Sequence, residues 1–137
     1  MTMAHREDAE QRALFDWLAF QPRLRDLAFA VPNGGKRNRI EAAIMQGLGV
    51  RPGVPDIFIP LPVLRRSLEP GEACGLFIEM KAPAVKLAYQ KDLRVGTLSQ
   101  EQRVWLARLE AVGYKAKCAR GFEEAREIIE KYLRGEP

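Results

Sequence analysis

The amino-acid sequence predicts a mixed α/β domain, and three observations carry that reading. Apolar residues recur at helical spacing in four segments. Two short runs, Asp56-Ile57-Phe58-Ile59 and Gly75-Leu76-Phe77-Ile78-Glu79-Met80-Lys81, have the β-branched and aromatic composition of strands. Gly and Pro punctuation interleaves the two kinds of segment instead of grouping helices apart from strands.

From Glu7 to Phe20, Leu14, Trp17 and Leu18 recur at helical spacing behind an acidic start, and Pro22 ends the helix. Leu27 to Val31 is a compact apolar run short enough for a buried strand, and Pro32-Asn33-Gly34-Gly35 is a turn signal. Lys36 to Leu48 reads as a second helix with Ile40, Ala43, Ile44 and Leu48 on one side and Gly49 as its stop. Arg51-Pro52-Gly53-Val54-Pro55 is a stiff lead-in to the Asp56–Ile59 strand, which Pro60 and Pro62 close. Leu64 to Cys74 has no clean period and reads as an irregular excursion; the Gly75–Lys81 strand follows and ends at Pro83. Ala84 to Leu98 has no legible period and reads as a basic, mobile stretch. A capping box, Ser99-x-x-Gln102, starts a helix that runs through Trp105, Leu106, Leu109 and Val112 to Gly113. Tyr114 to Ala119 is a short strand, and Phe122 to Leu133 a final helix with Ala125, Ile128, Ile129 and Tyr132 inward.

With 137 residues, 47% of them hydrophobic and 29% charged, the chain reads as one globular domain over 1–137, without internal repeats. Twenty-two Lys and Arg against eighteen Asp and Glu leave a net charge of +4, a moderate pointer to an anionic partner. Cys74, Cys118 and His5 cannot assemble the four Cys or His ligands of a structural zinc site. No apolar run reaches the ~20 residues of a membrane span, and the polar start is unlike a signal peptide. The expectation is a cytoplasmic protein with both thiols free and no membrane partner.

The chemistry concentrates in Pro55-Asp56 and Glu79-Met80-Lys81. Side chains alternate faces along a strand, so Glu79 and Lys81 point one way while Ile78 and Met80 point the other. If the two strands pair, Asp56 and Glu79 converge, and converging carboxylates suit a hard divalent cation, Mg²⁺ or Mn²⁺. Such an ion can polarise a phosphodiester and offset charge in the transition state. Lys81 would either position or deprotonate the attacking water, or stabilise the pentavalent phosphorus. Edge strands often carry Glu and Lys as a simple ion pair. Here, however, the pair interrupts a core-like run of Leu76, Phe77, Ile78 and Met80, where charges need partners or ligands.

Gly53-Val54-Pro55-Asp56, then Gly75 to Lys81, then Leu98-Ser99-x-x-Gln102, then Gly113-Tyr114 together resemble a stand-alone VRR-NUC domain, a branch of the PD-(D/E)xK nuclease superfamily. Pro32-Asn33-Gly34-Gly35-Lys36-Arg37 and Glu7-x-x-x-Gln11 match its phage and bacterial members as well. The resemblance covers about Glu7 to Leu133 and implies a restriction-endonuclease-like αβββαβ core with a mixed central sheet flanked by helices. It implies metal binding by Asp56 and Glu79 with the Met80 carbonyl as a further ligand, and Lys81 as the catalytic lysine. Gln102 matches a glutamine that orients site groups, and it can serve the capping box too. Glu7 fits the first-helix carboxylate by its spacing to Gln11, with Glu10 as the other candidate; both residues also suit the positive end of a helix dipole. A homodimeric endonuclease that cuts branched DNA such as Holliday junctions, in a phage or prophage setting, is what the resemblance implies.

For DNA contact, Asn33, Gly34, Lys36, Arg37 and Arg39 stand out: glycines expose backbone N–H groups, a helix start attracts phosphate, and the cations add Coulomb attraction. Lys86, Lys91 and Arg94 read better as a solvated face. Trp17 and Trp105 occupy helical core positions and read as packing residues. The rival from another class is a non-catalytic DNA-binding module that kept the fold, against which stands the joint presence of Asp56, Glu79 and Lys81.

Overall fold

A computed structural model describes residues 2–32, 38–63, 73–86, 92, 93 and 96–136. Along the chain lie α1 (Met3–Leu18), β1 (Phe29–Ala30), α2 (Arg39–Gly47), β2 (Ile57–Ile59), β3 (Leu76–Lys81), β4 (Val85–Lys86), β5 (Asp92–Leu93), α3 (Gln100–Ala111), β6 (Lys115–Arg120) and α4 (Phe122–Leu133). Each of the first three helices has a side-chain cap at its start. The Thr2 hydroxyl accepts from the His5 N–H, the Asn38 side chain from Glu41, and Ser99 and Gln102 close a reciprocal capping box. Thr2 explains why α1 begins well before Glu7. Glu7 therefore lies in its second turn rather than at its start.

The main sheet has the order β1-β2-β3-β6; β2 runs antiparallel to both β1 and β3, while β6 runs parallel to β3. The parallel return of β6 is possible because α3 forms the crossover between them. This mixed sheet, with its helices, is the restriction-endonuclease-like core. Register Ile57↔Ile78 and Ile59↔Leu76 puts the apolar set of β2 and β3 on one face. Ile57, Ile59, Leu76, Ile78 and Met80 there join Leu14 and Leu18 of α1 and Ala125, Ile129 and Tyr132 of α4 in one buried core. On the opposite face Phe58 stacks on Phe77 with ring centroids 4.2 Å apart, and Phe29 and Tyr114 meet them edge-on. That second face carries the charged residues of β3.

Two further expectations need correction. The apolar run 27–31 is not a buried strand: 22–27 turns tightly, burying Leu24, and only Phe29 and Ala30 pair, as an edge with Phe29 47% exposed. The apolar side of the second helix faces outward: α2 buries no residue and leaves Ile40 73% and Leu48 76% exposed. Within the stretch from Ala84 to Leu98, where no element is legible in the sequence, β4 and β5 pair antiparallel. The excursion after β2 is pinned at its ends by a bridge between Val63 and Ala73, and residues 64–72 within it lie outside the described residues.

Candidate active site

Antiparallel register brings Asp56 to the end of β2 directly across from Glu79 on β3. The Met80 N–H donates to Asp56 Oδ2 at 2.7 Å, and the Asp56 carbonyl accepts from the Val31 N–H at 2.7 Å. Both ends of the aspartate are therefore held by backbone. The lead-in depends on Gly53. Its φ is +86°, and a Cβ there would come within 2.7 Å of Glu101 at the start of α3. The two segments pass so close that Gln102 reaches β3, and its Nε2 donates to Glu79 Oε1 at 2.7 Å. At the same time Gln102 Oε1 accepts from the Ser99 N–H at 2.8 Å. One side chain thus fills both the cap and the site, because the capping geometry spends its oxygen and leaves its amide group free.

Glu79 and Lys81 share a face of β3, as strand alternation predicts, and both are buried, at 3% and 8% exposure. Lys81 Nζ lies 3.8 Å from Glu79 Oε1. The other oxygen, Glu79 Oε2, is buried and accepts no hydrogen bond among the described residues. Asp56 stands close enough to Glu79 for each carboxylate to act on the other. Burial first, and the Asp56 charge second, push the Glu79 carboxyl up to about 8, with Lys81 opposing them. Burial also raises Asp56, against the Met80 hydrogen bond that favours its anion. The Met80 side chain points away into the core, so its contact with the site is by backbone alone.

Glu7 and Glu10 part company. Glu7 sits within the field of Lys81, Asp56 and the Ala82 N–H, and burial raises its carboxyl. Glu10 instead turns to α4, where its Oε2 accepts from the Phe122 N–H at 2.7 Å. Gly121, the residue before that helix, has no side chain with which to cap it, and Glu10 replaces the missing cap. Of the loop Asn33, Gly34, Gly35, Lys36 and Arg37, all five lie outside the described residues; Arg39 is exposed at the first turn of α2. Lys91 and Arg94 are likewise outside them, and Lys86 lies in β4.

Two residues that carry no sequence signal also shape the site. Arg6 is buried and donates to the Pro83 carbonyl just beyond β3, tying α1 to the strand beside Glu7. Gly96 is buried against the same place. A Cβ there would meet Glu7 Oε1 at 3.0 Å and Ala82 N and Lys81 Cβ at 3.2 Å, so any other residue would push into the site. Neither stands out locally: Arg6 looks like one of many surface cations, and Gly96 like a loop glycine.

Three carboxylates thus gather around Lys81, which is the cation that acts on all of them. An excess of buried negative charge with an unpaired oxygen fits a hard cation. Among the described residues no three His, Cys, Asp or Glu side chains are disposed to hold an ion unaided, so backbone oxygen and water would have to complete its shell.

The chain matches the VRR-NUC domain family over residues 3–123. A solved structure described as a VRR_NUC domain protein is 25% identical, aligns with 95% of this chain and 89% of its own, and superposes with a TM-score of 0.72. Among curated proteins, none matches.

Proposed function

Because the chain belongs to the VRR-NUC family, and so carries a nuclease-type domain with DNA as its partner, we propose that it hydrolyses DNA phosphodiester bonds at Asp56, Glu79 and Lys81 with Mg²⁺ or Mn²⁺. The observation that carries this reading is the buried, unpartnered Glu79 Oε2 beside the Asp56 carboxylate. Asp56, Glu79 and the Met80 carbonyl would hold the ion, with Glu7 acting from the rim through water. A divalent ion there supplies Lewis-acid polarisation and offsets the negative charge that builds on phosphate. Gln102 fixes Glu79 by one oxygen, which leaves the other as the one that would meet an ion. Lys81, held on the same face, would as an ammonium position the attacking water or neutralise the transferring phosphate, and only as a neutral amine deprotonate that water.

The finer reading is an endonuclease selective for branched DNA such as four-way junctions, acting as a homodimer. In its support, α2 presents Ile40, Ile44 and Leu48 to solvent, an apolar stripe of the kind that partner subunits cover. Arg39, with Asn33, Gly34, Lys36 and Arg37 before it, would hold phosphates. The test is incubation of purified protein with linear, nicked, flapped and four-way DNA in Mg²⁺, Mn²⁺ or EDTA. Asp56→Ala and Glu79→Ala should abolish cleavage and leave DNA binding largely intact. Undiminished turnover in either variant sinks the assignment, and binding without cleavage by the unaltered protein under every cation leaves a DNA-binding module.

A further inference from the structure

A cavity of about 320 Å³ opens beside the site, between the Arg51-Pro52 turn and one face of α3 formed by Glu101, Val104, Trp105 and Arg108. Trp105 is only half-buried and does not join the core, unlike Trp17, which packs edge-on against Phe122 at 6.4 Å. Trp105 therefore packs only in part, outside the main core. Its indole lines an open pocket instead, with the Arg108 guanidinium over the ring at 5.9 Å. That distance is the outer edge of a cation–π contact, so Arg108 can leave the ring at little cost.

The walls of this pocket are the segments that deliver the candidate site. Arg51-Pro52 leads within a few residues to Asp56, and Trp105 lies one helical turn beyond Gln102, which bonds Glu79. The pocket is large enough for one small planar group and has an aromatic wall, two guanidinium groups and a carboxylate at its rim. We propose that it binds one unpaired nucleotide of a DNA substrate. The base stacks on Trp105, Arg51 and Arg108 reach the flanking phosphates, and Glu101 accepts from the exocyclic amino group of an adenine, cytosine or guanine. A base within a paired duplex is already stacked and enters only after unpairing and unstacking. The pocket thus favours DNA that offers an unpaired base next to the scissile phosphate. This inference rests on the nuclease reading above and, among branched DNAs, selects those with an unpaired base, such as a flap, over a fully paired four-way junction.

Binding is measured in EDTA, so that recognition is read apart from chemistry, with a short single-stranded oligonucleotide, a blunt duplex, and that duplex carrying a single-stranded flap. Trp105→Ala should weaken binding of the single strand and the flapped duplex roughly tenfold, the scale of one base–aromatic stack, and leave the blunt duplex within about twofold. Trp105→Phe keeps a stacking ring and should retain most of the affinity. In the unaltered protein the single strand should quench tryptophan fluorescence, and Trp105→Phe, which still contains Trp17, should lose that quenching. Unchanged fluorescence at saturating single strand overturns the inference, as does Trp105→Ala weakening all three DNAs equally or none. Cleavage by an unaltered protein that shows no Trp105-dependent preference removes the pocket and leaves the nuclease. Trp105-dependent binding without cleavage under any cation removes the nuclease and leaves the pocket.

Discussion

Replacing Glu79 with glutamine should make the metal-free protein more stable at alkaline pH, and the size of the gain follows from the site. The Glu79 carboxyl is raised from its ordinary 4.5 to about 8, by burial first and by Asp56 second. A carboxyl that holds its proton more tightly when folded contributes stability that is whole below pH 4.5 and is lost as pH rises toward 8. At roughly 1.4 kcal/mol per pH unit, that interval sets an upper bound of about 5 kcal/mol. Asp56 competes for the same proton and its carboxyl is partly open to solvent, and pH 5.5 to 8.5 covers only part of the interval, so about 2–3 kcal/mol is the expected loss there. Against a typical total of roughly 5–15 kcal/mol this is a large fraction. Glu79→Gln keeps an oxygen for the Gln102 amide and gains a donor toward Asp56, so it removes the charge without removing the contacts. Urea denaturation in EDTA at pH 5.5 and pH 8.5 reads the effect. The unaltered protein should weaken between the two, the variant should be flatter, and its melting point at pH 8.5 should be higher by roughly 4 °C per kcal/mol gained. Parallel pH profiles for the two proteins, or an unaltered protein that grows more stable from pH 5.5 to 8.5, would refute the reasoning.

Lys81→Ala should lose cleavage while cation binding, followed by calorimetry, persists; Lys81→Arg should not restore the full rate, because arginine does not give up a proton and its fork has another geometry. A fully active Lys81→Ala would remove the lysine from the chemistry. Glu10→Ala strips α4 of its cap and should lower stability by about 1 kcal/mol in denaturation while cleavage holds; abolished cleavage with an unchanged melting point would give Glu10 to the site instead. Neutralising Lys36, Arg37 and Arg39 together should weaken binding to DNA of every sequence. It should also flatten the salt dependence by about 0.9 in slope for each phosphate no longer neutralised, and an unchanged slope would show that this loop does not face DNA.

How far these features are legible in the amino-acid sequence depends on the range of the interaction. The α/β class, the four helices and the two core strands are readable because caps, stops and periodicity act within a few residues, as at Ser99, Gly113 and the Phe122–Leu133 stripe. So is the grouping of Glu79 with Lys81, since the pleat alone puts residues two apart on one face. Gln102 is readable in two ways, and the fold makes both true, because its amide carries an acceptor and a donor that serve different neighbours.

Tertiary structure decided what depends on partners far along the chain. Whether α2 buries its apolar side cannot follow from its own period, which shows that a stripe exists but not what covers it. Glu7 and Glu10 have the same chemistry one turn apart. Only the positions of Ala82 and of the Phe122 N–H, 112 residues beyond Glu10, separate a carboxylate at the site from one that caps a helix. Arg6, Gly96 and the half-buried indole of Trp105 are of the same kind. What each does is set by the packing of α1 on β3 and of α3 on the turn before β2, contacts between distant segments that local sequence patterns do not encode.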